Sequence, residues 1–577
     1  MRTTTYAKSR SLDTWLLFVT AVLVIGAGLG LRDPWPADEP RFALVAKQMV
    51  ESGNWLFPHR GIELYSDKPP MLMWLEGLFF LLTGNWRVAF LMPSLLATLG
   101  AIWCVKDLGQ RLWTRKVGLY AGWALLFAFQ FTYQAKRAQI DALVLGMITL
   151  ANYGLLRHLL KGPDWKMWTL GWFFAGLGTI TKGVGFLALL IIVPAALASV
   201  RGWPGVKVWA GDRRFWLGPL AFLVAVSVWL VPMVATVLLS GDPEHRAYLN
   251  DILFRQTAKR YARSWDHPQP VWYFLQVLLM WAPTILALPW AIAPWARRLR
   301  LRHDPRYLVP LAWWLIVMVF FSIPHGKRDV YIMPALPMLC LALAPLLPGL
   351  LRRRDVRAVA HAFTGALLLA MLWMGIAMLT GEPAFERGLH QDRSLDETAT
   401  NALAWVLVAI GTWGVASVLA FWRRPAVAMF STLGATWVLY GMVVCPLLND
   451  SSSARGVMRE VAQRIGPQAE LGLVAWKEQN LLMTQSRTFN FGFRKLWKDQ
   501  LREGLAWQTQ APQRRWLLVQ DVALPTCVDR AVAEHAGQAG RRGWWLVPTA
   551  ARTACPAAPE IPFDDSARKA QIEAEGE

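Results

Sequence analysis

Asp38, Glu39 and Arg41 stand together just beyond the first long apolar run, and Tyr65, Asp67 and Lys68 follow ahead of the paired prolines Pro69 and Pro70. A carboxylate can take a proton from an acceptor or orient it, and a lysine can hold charge developing on a leaving anion. At a membrane surface, this combination suits chemistry on a lipid-borne anion. Further polar residues fall at turns between apolar runs: Arg137 with Asp141, Lys182, Lys327 with Tyr331, and Arg255 and Arg260 in a long polar loop. Polar groups beside membrane spans are costly and tend to be functional.

Plain structural readings stand beside these. Arg137 and Asp141, spaced i, i+4, could form a helix ion pair. Lys68 and Lys182 could snorkel to the interface. Arg255 and Arg260 could form a solvated face, and Asp38 could cap a helix. The chain has no G-x-S-x-G elbow and no H-E-x-x-H helix, which disfavours serine-triad or zinc hydrolysis. Residues 178–183 lack the spacing of a phosphate-binding loop. No cofactor is implied, and a divalent metal is not required.

The elements that must position these residues are membrane spans. Of 577 residues, 55% are hydrophobic, and the mean hydropathy is +0.31. Apolar runs of about 20 residues are transmembrane candidates, and about 13 are expected, from 14–31 to 426–447. The net charge of +21 lies in short loops between these runs, which argues against nucleic acid as a partner. Basic clusters such as Lys106, Arg111, Arg115 and Lys116, then Arg352, Arg353 and Arg354, then Arg423 and Arg424, occupy every second loop. The positive-inside rule assigns them to the cytoplasm. Every polar residue singled out above then lies outside, as does the carboxyl terminus.

The run 71–84 is too short to cross and contains Glu76, so a helix at the outer interface is expected. From about residue 449 the chain turns polar. Strands are expected at 471–476, 516–520 and 544–548, and helices at 454–465 and 527–536, which together make a small external α/β domain. The organisation is therefore a membrane domain, 1–448, with a first outer loop, 32–86; an external domain, 449–560; and a disordered tail, 561–577. An oxidising compartment permits a disulfide between Cys527 and Cys555.

With these blocks in view, the chain resembles polyprenyl-phosphate-sugar-dependent glycosyltransferases of the GT-C fold. It is most similar to the bacterial 4-amino-4-deoxy-L-arabinose lipid A transferases and the dolichyl-phosphate-mannose–protein mannosyltransferase family. The likeness rests on Asp38-Glu39-Pro40-Arg41, Tyr65-Ser66-Asp67-Lys68-Pro69-Pro70, Arg137, Asp141, Lys182, and Lys327 with Tyr331. The aminoarabinose enzymes usually carry Glu-Lys-Pro where this chain has Asp67-Lys68-Pro69, the form of the broader family. The resemblance implies a catalytic role for Asp38, with Glu39 and Asp141 beside it. It implies that Lys68, Arg255, Arg260 and Lys327 bind the lipid phosphate. Arg41, Tyr65, Asp67, Arg137, Lys182 and Tyr331 then line the substrate pocket. The implied donor is a sugar on undecaprenyl monophosphate, the leading acceptor lipid A, and the implied site the periplasmic side of a bacterial inner membrane. Protein or another envelope glycan as acceptor is the alternative, and so is transport of a lipid-linked substrate.

Overall fold

Long uncharged runs in lipid must satisfy their backbone groups internally, so they fold as helices. The computed structural model describes residues 2–253, 268–382, 395–525, 527–540 and 542–552, with side chains from residue 12. Among them, seven helices are long and apolar enough to cross a membrane: Trp86–Leu112, Ile140–Lys161, Arg213–Ser240, Pro305–Ser322, Arg354–Leu379, Glu397–Ala420 and Pro425–Leu447. Tyr273–Trp281 and Thr284–Arg302 make an eighth if counted as one span bent by 103°. The chain is thus a polytopic helical membrane protein. Part of the difference from thirteen spans arises where runs are broken or short. The run expected at 117–134 is divided into helices Arg115–Leu126 and Phe129–Ala135. Gly185–Val200 and Asp329–Leu343 are apolar but fall below spanning length, whereas the first helix runs over Arg2–Gly26, 25 residues.

The helix Leu217–Ser240 shows how these elements partition. Leu220, Leu223, Val224, Val228 and Val231 are exposed, whereas Ala225, Trp229 and Met233 are buried. The exposed stripe suits lipid and the buried one packs on Trp165–Lys182. Small residues permit that approach: a Cβ on Gly176 would lie 2.8 Å from the carbonyl oxygen of Phe222.

A helix forms at Met71–Thr83, where one was expected, stopped by Gly84 in the left-handed region at φ +65°. Beyond residue 449 lies a five-stranded sheet. Its order is Arg487–Asn490, Glu470–Val474, Arg515–Gln520, Arg542–Val547, Glu534–Ala539, parallel in the first two pairings and antiparallel in the last two. The three expected strands are present, and two further strands join them. The helix expected at 527–536 is not formed: Glu534–Ala539 is an edge strand pairing with Arg542–Val547. Its sequence, EHAGQA, carries no β-branched residue, so its pairing comes from the hairpin and not from propensity. Strand alternation divides two cores. Leu471, Leu473 and Leu518 face Val457 and Met458 of helix Arg455–Ile465, together with Ala43, Leu44 and Phe90 of the membrane portion. Val474, Leu517 and Val519 face Leu501 and Leu505 of helix Trp497–Thr509.

Polar contacts reinforce this shared core. Asp33, in the turn after the first helix, receives bonds from Arg455 Nη2 at 2.7 Å, Arg87 Nε at 2.8 Å and Asn449 Nδ2 at 2.7 Å. The hairpin His59–Arg60/Glu63–Leu64 presses its tip on the sheet. Gly61 sits there at φ +69°, and a Cβ would meet Asn490 Oδ1 at 2.8 Å. Cys104, Cys340 and Cys445 are free and buried. Cys527 is disulfide-bonded; Cys555 and the tail lie outside the described residues.

Candidate active site

Asp38 stands at the N-cap of helix Glu39–Ser52, but its side chain makes no capping bond. It is aimed elsewhere, and Arg328 Nη2 donates to its Oδ2 at 3.1 Å. The carboxylate is 16% exposed. Burial alone would raise its pKa, but Arg328 and then Arg41 hold the carboxyl below the ordinary aspartate value. Asp38 is thus an ionised, partly accessible carboxylate among cations, the state a proton acceptor requires.

Glu39 is placed differently. Its carboxylate is fully buried. Arg32 donates to it at 2.5 and 2.7 Å, the Trp35 N–H at 2.8 Å, and the Ala138 N–H at 2.9 Å. Arg137 approaches at 3.8 Å and also donates to Tyr133 Oη at 3.0 Å. Burial opposes ionisation of Glu39, while Arg32 and Arg137 favour it and lower its pKa. Arg137 and Asp141 therefore do not form the i, i+4 pair that their spacing allowed. Arg137 precedes the helix Ile140–Lys161 and turns toward Glu39, whereas Asp141 pairs with Lys182 from the next helix. The Lys182 ammonium also lies 4.8 Å from the centre of the Tyr331 ring.

The second block folds against the sheet portion. Asp67 Oδ1 accepts from Arg494 Nη2 at 3.0 Å, and Arg60 lies 3.6 Å from its other oxygen. Burial would raise Asp67, but Arg60 and then Arg494 keep it below its usual value. Lys68 Nζ donates to the Asp67 carbonyl at 3.0 Å. Tyr65 is buried between these charges, and its hydroxyl has no hydrogen-bond partner among the described residues. Arg41 Nε donates to Glu478 Oε1 at 3.0 Å, and Arg60 lies 3.6 Å from the same oxygen. Glu478 begins the helix Glu478–Met483 beyond the first strand of the sheet. Ser66 Oγ pairs with Asp251.

Most of the residues singled out by sequence therefore form one connected constellation, from Lys182 and Asp141 through Asp38 to Arg41, Tyr65 and Asp67. Lys327 is not joined to it by any described contact. Its Nζ donates to the carbonyls of Pro324 at 2.6 Å and Gln269 at 3.0 Å, and it is the neighbouring Arg328 that reaches Asp38. Arg255 and Arg260 lie outside the described residues. Arg328, Glu478, Arg60 and Arg494 were not singled out. Arg328 was legible as the cation adjoining Lys327. Glu478 and Arg494 carry no local signal, because they reach the site only through the docking of the sheet.

Residues 67–231 match the family described as dolichyl-phosphate-mannose-protein mannosyltransferase. The undecaprenyl phosphate-α-4-amino-4-deoxy-L-arabinose arabinosyl transferase of Pseudomonas paraeruginosa is 29% identical over 449 residues, 76% of either chain. Its namesake in Pectobacterium carotovorum is 29% identical over 380 residues, covering 62% of this chain and 65% of its own. ArnT from Cupriavidus metallidurans, solved with undecaprenyl phosphate bound, shares the fold with a TM-score of 0.67 at 19% identity, over 92% of this chain and 97% of its own. By sequence likeness this chain is a membrane glycosyltransferase similar to the undecaprenyl-phosphate aminoarabinose arabinosyl transferases, and it shares the fold of ArnT.

Proposed function

We propose that the chain moves a sugar from an undecaprenyl monophosphate carrier to an extracytoplasmic acceptor, with lipid A the leading acceptor and aminoarabinose the leading sugar. The observation that carries this reading is Asp38, held ionised and partly accessible beside Arg328 at 3.1 Å. The relatives' names supply the donor and sugar classes.

In the reaction, an acceptor oxygen forms a bond to the anomeric carbon as the bond from that carbon to the phosphate oxygen breaks. The electron pair leaves with the phosphate, and attack from the opposite face inverts the centre. Lys68, with Arg255 and Arg260, stabilises the growing phosphate charge, where the low-dielectric surroundings strengthen each cation. A hydroxyl acceptor gives its proton to Asp38. A phosphate acceptor is already anionic, and Asp38 then orients and does not deprotonate. Glu39, with both oxygens occupied, acts as a positioning residue that fixes Arg32, Arg137 and the helix start. Asp141 and Lys182 set the charge on the pocket wall near Tyr331. The count of about 13 spans rests on the apolar runs, and the periplasmic placement of the site and of residues 449–560 rests on the positive-inside rule.

The test is incubation of the purified chain with a lipid-linked aminoarabinose and lipid A, with products resolved by mass. Modified lipid A is expected. Sugar on protein or another glycan would keep the mechanism and change the acceptor. Transfer from a nucleotide sugar alone would overturn the proposal.

A further inference from the structure

At the end of the membrane helices remote from Asp38 lies an open apolar groove of about 800 Å³. Tyr120, Trp123, Phe127, Trp290 and Phe430 form much of its wall, and Asp13 and Lys116 are the charged side chains that line it. Two successive helices relate it to the catalytic constellation. Helix Arg115–Leu126 starts at the groove's rim, and Phe129–Ala135 continues the chain to Arg137 beside Glu39. The deep end is closed. The Phe127 and Phe430 rings stack with centroids 4.5 Å apart, and Thr284 Oγ1 donates to the Ala124 carbonyl at 2.6 Å. From Lys116 to Phe127 the helix rises ~16 Å, about half the ~30 Å hydrocarbon thickness of a bilayer. The groove therefore has the depth of one leaflet.

Its rim is cationic. The lining residues Lys116 and Leu351 adjoin Arg115 and Arg352 in sequence, and Arg353, Arg354 and Arg424 stand within three positions of the lining residues Leu351, Val356 and Ala426. Arg115 pairs with Asp13, and Arg353 pairs with Asp355. Among the described residues, Lys116, Arg352, Arg354, Arg423 and Arg424 have no carboxylate partner, and all five are exposed. An apolar slot one leaflet deep beneath uncompensated positive charge matches acyl chains beneath an anionic headgroup.

We infer that this groove is a binding site for an anionic phospholipid of the leaflet on the side of the basic loops. The site is separate from the proposed donor site, because the two lie at opposite ends of the first helix: Asp13 pairs with Arg115 at the groove's mouth, whereas Lys136, next to Arg137, donates to the carbonyls of Val24 and Ala27. It goes beyond the proposed transfer reaction and does not depend on it.

The test is native mass spectrometry of the full chain in detergent micelles containing phosphatidylglycerol or phosphatidylcholine of the same acyl composition. Wild type is expected to retain phosphatidylglycerol about tenfold better. Replacing Arg352, Arg354 and Arg424 together by Gln should bring retention down to that of phosphatidylcholine. These positions are exposed, so folding should be preserved. Ala360→Trp, which fills the groove, should lower retention of phosphatidylglycerol by a similar factor. Equal retention of both lipids by wild type would overturn the site. So would retention unaffected by either variant, or displacement of phosphatidylglycerol by undecaprenyl phosphate, which would make the groove a prenyl-tail channel.

Discussion

Asp38 and Arg328 form the pair on which the proposed proton transfer depends. Asp38→Asn removes the acceptor while keeping shape, and turnover is expected to fall about a hundredfold or more with membrane insertion unchanged. Near-normal turnover of a folded variant would remove the role. The pair also sets pH dependence. The folded pKa of Asp38 lies below its unfolded value. Its charge thus contributes stability above the unfolded pKa, and that contribution is lost only as pH falls through the lowered one. Arg328→Ala deletes the leading favourable charge, so the acid limb of the pH–rate profile should move up toward the ordinary aspartate range. An unmoved limb would contradict the coupling. For the phosphate, Lys68→Ala and Arg255→Ala are each expected to weaken undecaprenyl phosphate binding by about 1–3 kcal/mol. Titration of the lipid phosphate against each variant measures this, and unchanged affinity in both would place the phosphate elsewhere.

At the scale of elements, the sheet portion completes the site. Helix Glu478–Met483 places Glu478 against Arg41 and Arg60, which leave Asp38 and Asp67 on their other sides. Glu478→Gln should lower turnover about tenfold by freeing both guanidinium groups, and Glu478→Asp should recover part of it. A purely structural role would lower the melting temperature in both variants without separating their turnover numbers. Asp33 joins the same two portions. Burial would raise its pKa, but bonds from Arg455, Arg87 and Asn449 bring it down to about 2. Its contribution to stability is therefore present above the ordinary aspartate value and is lost as pH falls through about 2. Asp33→Ala leaves two arginines facing an empty position, and about 3 kcal/mol of stability is expected to go. Chemical denaturation in micelles measures that loss, and a change below ~0.5 kcal/mol would show the junction to be held by its apolar core alone.

For the whole molecule, a reporter fused after residue 552 is expected to signal from outside the cytoplasm, with the basic loops on the opposite side; a cytoplasmic signal would invert the assignment of faces. The apolar runs, the basic loops and the Asp38 and Lys68 blocks were legible in the sequence, because lipid solvation and charge asymmetry act on local composition. So were three of the five strands, where alternation reflects two buried faces. The break near Phe127 was not legible, because no proline marks it and packing decides where the run turns; Pro283 does mark the other break in the sequence, since its ring and missing N–H interrupt a helix. The edge strand Glu534–Ala539 was misread for a related reason: its pairing comes from its neighbour. The partners within the site were decided by tertiary structure alone. Arg137 could have bonded Asp141 one helical turn away, but Glu39, buried with four donors, draws it, while Lys182 takes Asp141. Glu478 and Arg494 stand more than four hundred positions from Arg41 and Asp67 in the chain. Sequence composition determined that the protein lies in a membrane, and it marked the blocks that carry the candidate site residues. Which charges neutralise one another, and which stay available to substrate, depended on the docking of the sheet, because electrostatic pairing at a few ångströms is set by distance in space and not along the chain.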